Sequence, residues 1–185
     1  GLGGLGLRAA TLLVQGGASR VHLASRSGRV LRDGQGLEAR LRAMGTGAVV
    51  VACDSADTCD VVAALGESPV GILHAAGVGD AGLRMALEAS RVAWMCGSKA
   101  AGTMFLHFTT VAVPLSSCIL YSSVGSGLAN RGQSNYAASN SWLDSLALSL
   151  RARGMAGCSM QWPMVGGAGI GEAAFAAIAE RQVTV

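Results

Sequence analysis

Charge is scarce in this chain. Only 14% of its residues are Asp, Glu, Lys or Arg, against 51% hydrophobic. That balance fits a parallel α/β domain, whose strands are buried on both faces, and 185 residues suffice for one domain with a real core. There is no basic run, and the formal net charge is only +3. Ordinary surface charge therefore accounts for the balance, and no nucleic-acid partner is expected. Metal-ligand spacing is also missing. Cys53, Cys59, Cys96, Cys118 and Cys158 form no CxxC or CxxH pattern, so no metal site is expected. An odd, scattered set of thiols suits a reducing, cytoplasmic compartment, with the cysteines acting as small core hydrophobes. No signal-peptide pattern opens the sequence. Its start does not read as a true N-terminus, however, so organelle targeting stays open. Between Ala100 and Asn130 there is no Lys, Arg, Asp or Glu, yet Gly102, Pro114, Gly125, Gly127 and many Ser/Thr interrupt the stretch. A run of about 18 apolar residues is never reached, and no membrane partner is expected. Repeats, linkers and low-complexity segments are missing as well.

What is present alternates. A glycine-rich turn at Gly1 to Gly16 leads into a helix, and Val21 to Ala24 is a short strand. Gly36 to Met44 is an amphipathic helix with Leu37, Leu41 and Met44 on one face. Ala48 to Ala52 is an almost wholly apolar strand, Asp57 to Leu65 a short helix, and Val70 to His74 the next strand. A longer helix runs from Leu87 to Phe108, followed by a strand at Ser117 to Tyr121 and a helix from Asn135 to Gly154. Cys158 to Trp162 is the last strand. Strands alternating with helices imply βαβ units. The fold class is a Rossmann-type, doubly wound parallel sheet. Its first strand is expected to lie outside this chain, because none precedes the glycine-rich turn and such a fold needs one centrally. The chain is therefore expected to be a fragment of a longer polypeptide.

The opening turn matches GxGxxG through Gly1, Gly3 and Gly6, with Gly4 between them. Glycines let the backbone approach a pyrophosphate, and the helix that follows offers free N–H groups to it. After the second strand comes Ser25-Arg26-Ser27-Gly28-Arg29. NAD-preferring domains place an acidic residue there, whereas Arg suits the 2′-phosphate of NADP. Arg26, with Ser27, is the first candidate and Arg29 the second. The alternative is a solvated basic loop. Asp54 follows the third strand and either accepts from the adenine amino group or caps a turn. After the fourth strand, His74-Ala75-Ala76-Gly77 puts small residues where a backbone must pass close to a ribose and nicotinamide. His74 itself reads as structural rather than as a base.

The chemistry sits further on. Tyr136 and Asn140 are i and i+4, on one helix face. Ser123 ends the run Cys118-Ile119-Leu120-Tyr121, and Lys99 lies upstream. A strand, loop and helix bring the strand end close to that helix. A hydroxyl, a phenol, an amide and an amine thus converge on one cleft, which is equipment for proton transfer to a carbonyl oxygen. Trp142 and Trp162 read as core packing, while Trp94 is open between core and substrate.

These blocks carry a resemblance. The chain is similar to the ketoreductase domain of a modular polyketide synthase, in the short-chain dehydrogenase/reductase superfamily. The matching residues are GLGGLGL at Gly1 to Leu7, SRSG at Ser25 to Gly28, HAAGV at His74 to Val78, SKAAG at Ser98 to Gly102, YSSVGS at Tyr121 to Ser126, and GQSNYAASNSWLDSLA at Gly132 to Ala147. The similarity spans almost the whole chain, so residues 1–185 read as one such domain, truncated at its N-terminus and also at its C-terminus. The last block is the specific one. Many related reductases carry Lys four residues after the Tyr, whereas this subfamily has Asn there and takes its Lys from the preceding helix.

The resemblance implies roles. Tyr136 resembles the acid that protonates the ketone oxygen, Ser123 the donor to the substrate carbonyl, and Lys99 the cation that favours the phenolate and holds the nicotinamide ribose. Asn140 resembles the residue that orients Lys99 and a water. Alignment favours Ser123 over Ser122. The implied cofactor is NADPH, bound at Gly1, Gly3, Gly4, Gly6, Arg26, Ser27, Asp54, Ala75, Ala76, Gly77, Lys99 and Tyr136. The implied substrate is a 3-ketoacyl chain on the phosphopantetheine arm of an acyl carrier protein, beside other domains of the same synthase. Alternatives are a fatty-acid-synthase-type or stand-alone carbonyl reductase, and a non-catalytic scaffold domain.

The chain also departs from the family. The LDD motif expected after HAAGV is replaced by Val78-Gly79-Asp80-Ala81, so its last Asp is Ala81. The Trp expected eight residues before the Tyr is Leu128. Neither stereochemical marker is present, and the configuration of the product alcohol is not assigned. The segment from Asp57 to Pro69 is shorter than expected, and Gly166 to Ala179 is where a substrate lid should lie.

Overall fold

The computed structural model describes residues 1–30, 35–66, 69–79, 85, 87–128 and 131–167. Position 81 and most of the expected lid lie outside them. The described residues pack into two compact units, Gly1–Val51 with residues 164–167, and Ala52–Pro163.

In the first unit, helix α1 (Gly4–Gln15) begins at an extended Gly3 that offers no side-chain cap. Glycine is required inside its first turn, since a Cβ on Gly6 would collide with the Gly1 carbonyl oxygen. Strand β1 (Val21–Ser25) follows, then helix α2 (Leu37–Ala43) and strand β2 (Ala48–Ala52). The two strands pair into a small sheet. The expected face of α2 is the buried one: Leu37 and Met44 join Leu2, Leu7, Ala10, Leu23 and Val30 in one cluster, with Leu41 packed against it. Each fully buried Leu contributes about 1.5–3 kcal/mol relative to exposure, which is ample reason for this face to turn inward.

The second unit opens with helix α3 (Thr58–Leu65), capped by Asp57, whose Oδ1 accepts from the Asp60 N–H at 3.1 Å. Strand β3 (Gly71–His74) leads to helix α4 (Ala89–Cys96), a π-helical turn at Gly97–Ala101, and helix α5 (Gly102–Thr110). Then come strand β4 (Ser117–Ser123), the short helix α6 (Gly125–Leu128), helix α7 (Ser134–Ala152) and strand β5 (Cys158–Trp162). The three strands form a parallel sheet in the order β3-β4-β5, with Leu73 opposite Ile119, Ile119 opposite Cys158 and Ser123 opposite Trp162. Leu120 of β4 packs on Leu143 and Ala147 of α7, with Cys118 and Leu146 beside them. Leu143, Ala147 and Leu150 recur at helical spacing, so one stripe of α7 seals the sheet.

Four expectations are corrected. The long helix is not continuous from Leu87 to Phe108, because the π-helical turn interrupts it. Thr103 donates to the Lys99 carbonyl at 2.6 Å, satisfying a backbone group in that widened turn. The segment after β4 contains helix α6 rather than loop alone. Trp142 is not core: it is 41% exposed on the outer side of α7. Of the five free cysteines only Cys53 is buried, and Cys59 and Cys158 are exposed, because α3 and β5 turn those positions to solvent. Trp162 does pack, its ring tilted on Tyr121 at 5.2 Å between centroids.

Candidate active site

Strand β4, helix α7 and the π-helical turn pack on one another and carry the four expected residues. The alternation of a strand sends neighbouring side chains to opposite faces, and this separates Ser122 from Ser123. Ser122 is buried, and its hydroxyl donates to the Asn140 carbonyl at 3.3 Å. It is committed to holding β4 on α7. Ser123 is half-buried at the strand end. Its Oγ accepts from the Gly125 N–H at 3.1 Å, and its own O–H has no acceptor among the described residues.

On α7, Tyr136 and Asn140 are tied directly. Asn140 is 0% exposed, and its Nδ2 donates to the Tyr136 carbonyl at 2.8 Å. A carbonyl only accepts, so this bond fixes which way the amide points. The Asn140 Oδ1 is left as a buried acceptor without a partner among the described residues. Ser139 donates to the same carbonyl at 2.9 Å. Tyr136 is half-buried, and its phenol has no hydrogen-bond partner among the described residues.

Lys99 sits in the π-helical turn, 4% exposed. Insertions of this kind are frequent at functional sites, since one extra residue redirects a side chain without ending the helix. Its Nζ donates to the Tyr121 carbonyl of β4 at 2.9 Å. Burial pushes the ammonium down to about 8, while the charge of Asp144 works the other way. Gly77 passes so close that a Cβ there would stand 3.2 Å from Lys99 Cε and 3.4 Å from Nζ. The small residues after β3 thus leave room for the lysine head.

His74 is buried, and its imidazole is pushed down to about 3, first by burial and next by the Lys99 charge. The Ser98 backbone stands near the ring, but neither ring nitrogen makes a well-formed hydrogen bond. A neutral, shielded imidazole fits the structural reading of this residue. Asp54 spends Oδ1 on the Ala56 N–H at 3.0 Å, which is the turn-capping use foreseen as its alternative. Asp54, Ala75, Ala76, Gly77, Lys99 and Tyr136 belong to the second unit. Gly1, Gly3, Gly4, Gly6, Arg26 and Ser27 belong to the first. There Gly4 and Gly6 are buried in the uncapped first turn of α1, while Arg26, Ser27 and Arg29 are exposed around a tight turn at Gly28.

Sequence reasoning missed a carboxylate. Asp144 Oδ2 accepts from Ser126 Oγ at 2.7 Å and from Gln161 Nε2 at 2.8 Å, and Oδ1 accepts from Ser159 Oγ. Gln161 Nε2 also lies 2.9 Å from Ser126 Oγ. Burial would raise this carboxyl, but donors from Ser159, Ser126 and Gln161 outweigh it and hold the group below its usual range. One signal could have found it: Asp144 is the only acidic residue between Glu88 and Glu172. Among the described residues no group of His, Cys, Asp and Glu is arranged to hold a metal, and no helix is long and apolar enough to cross a membrane.

Parallel strands alternating with helices, and polar side chains gathered at the carboxyl end of β4, define a Rossmann-type α/β domain. The KR domain family matches residues 1–167. Polyketide synthase GfsB of Streptomyces halstedii is 36% identical over 182 residues, which are 95% of this chain and 3% of that protein. The hybrid PKS-NRPS synthetase pyvA of Aspergillus violaceofuscus is 37% identical over 178 residues, 94% of this chain and 5% of that protein. A solved structure described as an A1-type ketoreductase superposes with a TM-score of 0.86 at 30% identity, covering 98% of this chain and 39% of that one. The chain thus spans only a small part of the length of these synthases, and it belongs to the ketoreductase domain family of polyketide synthases, within the short-chain dehydrogenase/reductase superfamily.

Proposed function

We propose that the domain reduces a 3-ketoacyl thioester to the 3-hydroxyacyl thioester with NADPH, the acyl chain being held on the phosphopantetheine arm of an acyl carrier protein. The observation that carries this reading is the bonded frame in which Asn140 holds the Tyr136 backbone while Lys99 lies buried against β4. A buried ammonium and a buried, half-satisfied amide are costly, and a frame built only for stability would not retain both.

The residues fit the cofactor. The uncapped α1 start at Gly3, Gly4 and Gly6 leaves N–H groups for a phosphate, and Arg26, with Arg29 as second candidate, suits a 2′-phosphate. Ala75, Ala76 and Gly77 leave space beside Lys99, and Tyr121 is the only acceptor of Lys99 Nζ among the described residues. Its remaining N–H groups can therefore bond ribose hydroxyls. When bound, the reduced nicotinamide supplies the hydride.

Tyr136 donates its phenolic proton to the carbonyl oxygen, and Ser123 donates a second hydrogen bond to that oxygen as charge develops on it. Lys99, charged at neutral pH, stabilises the phenolate left behind. Asn140 Oδ1 accepts from a water or from the lysine. The partners in this reading are the acyl carrier protein and neighbouring synthase domains, in the cytoplasm.

The test is NADPH oxidation with a 3-ketoacyl thioester, using the domain within its full-length protein. Tyr136→Phe is expected to lose roughly 10²–10⁴-fold in turnover while keeping NADPH binding. Wild-type protein that binds NADPH and oxidises none of it would sink the reading.

A further inference from the structure

Asp144 takes no direct part in the proton transfer proposed above. It is the one carboxylate on the whole second half of the site-bearing unit, and it lies on α7 at i+4 from Asn140 and i+8 from Tyr136. Its hydrogen bonds reach α6 through Ser126 and β5 through Ser159 and Gln161. Helix α6 is also the element whose first N–H, at Gly125, fastens Ser123 Oγ. Ser141 of α7 adds a bond to the Ser126 carbonyl at 3.3 Å. A chain of bonds therefore runs from Asp144 through Ser126 and the α6 turn to the Ser123 hydroxyl.

A second line leads to Lys99. The titratable groups on the elements around its turn are Arg91 and Cys96 on α4, His107 on α5, His74 on β3, Cys118 and Tyr121 on β4, and Tyr136, Asp144 and Arg151 on α7. The segment before α3, whose Ala56 meets Gly97 and whose Ser55 meets Gly102, adds Asp54 and Asp57. Of these acids Asp144 is the one whose charge favours the ammonium of Lys99.

We propose that Asp144 is a positioning residue for the reduction: through Ser126 it fixes the α6 turn that holds Ser123, and it supplies the negative charge that balances buried Lys99. This rests on the reductase reading above. Loss of the charge should act on the chemical step, because it loosens the carbonyl donor and the cation together. Substrate binding, which Asp144 does not touch, should change little.

The experiment compares wild type, Asp144→Asn and Ser126→Ala in the full-length protein, reading kcat and KM for a 3-ketoacyl thioester across pH. The Lys99 titration is followed separately by ¹⁵N NMR of lysine-labelled protein. Asp144→Asn is expected to lower kcat by about 10²-fold, to leave KM within about twofold, and to move the alkaline limb to lower pH with the Lys99 titration. Ser126→Ala keeps the charge, so it should lower kcat severalfold with the limb unmoved. If Asp144→Asn leaves the limb and the Lys99 titration where they were, the proposal is overturned. That holds whether its kcat stays at wild type or falls only with the folded fraction. An inactive wild type whose Lys99 titration still drops in Asp144→Asn would leave the coupling standing and reject the reductase reading instead.

Discussion

The two halves of α7 bury the same face of one helix with opposite chemistry. Up to Asn140 the buried side chains are Asn135, Ser139 and Asn140; beyond it they are Leu143, Ala147 and Leu150. The period is unchanged, so the helix does not explain the switch. Its partners do. The apolar half lies on Leu120 and Cys118 of the sheet, where every buried methylene contributes to stability. The polar half faces Ser122 and the buried lysine turn, where each amide or hydroxyl must find a partner to offset its desolvation. Ser139 and Asn140 both find the Tyr136 carbonyl. Buried polar groups give less net stability than hydrocarbon does, so on the function proposed above their place beside Tyr136 and Lys99 serves the chemistry rather than the fold.

The largest effects should separate the halves cleanly. Tyr136→Phe is expected to remove about 3–5 kcal/mol of transition-state stabilisation without moving Tm, read by NADPH oxidation and a thermal melt on the same sample. Leu143→Ala should do the reverse, destabilising by about 2–5 kcal/mol in denaturant unfolding while turnover per folded molecule holds. Equal losses of turnover per folded molecule in both variants would erase the distinction.

Lys99→Met sharpens it further. The folded lysine titrates near 8 against an ordinary 10.5, so between those values the folded state holds fewer protons than the unfolded one. Wild-type stability attributable to this group therefore rises as pH climbs through that window, and below it the buried charge is a full cost. The Met variant should lose turnover yet melt at or above wild type at neutral pH. Its advantage should shrink toward pH 10, measured by melts across pH. The smallest effect is expected at Trp142, which lies half in solvent on the outer face of α7 and belongs to neither half. Trp142→Gln should change unfolding free energy by under about 1 kcal/mol and leave turnover intact.

Much of this was legible in the residues. Leu37, Leu41 and Met44 announce the buried face of α2, Asp57 announces the start of α3, and the strands at Ala48–Ala52 and Cys158–Trp162 fall where their patterns end. The site was legible as a set of residue types in order, with Ser123, Tyr136 and Asn140 on adjoining elements. The π-helical turn was not, because its only local trace is Gly97 and Gly102 flanking Lys99. Nor was the exposure of Trp142, since an aromatic on a helix reads as core until the neighbouring elements are known.

What the sequence determined by itself is everything carried by periodicity and local chemistry: the alternation of strand and helix, the Asp57 start of α3, the order of the polar residues. These depend on residues within a turn or two of one another. Only the tertiary structure decided which of Ser122 and Ser123 is spent on α7, where Lys99 points, and that Asp144 joins Ser126 to Gln161 across 35 positions of chain. Those choices rest on which surfaces close against each other, and a hydrogen bond between distant residues leaves no period in the sequence that makes it.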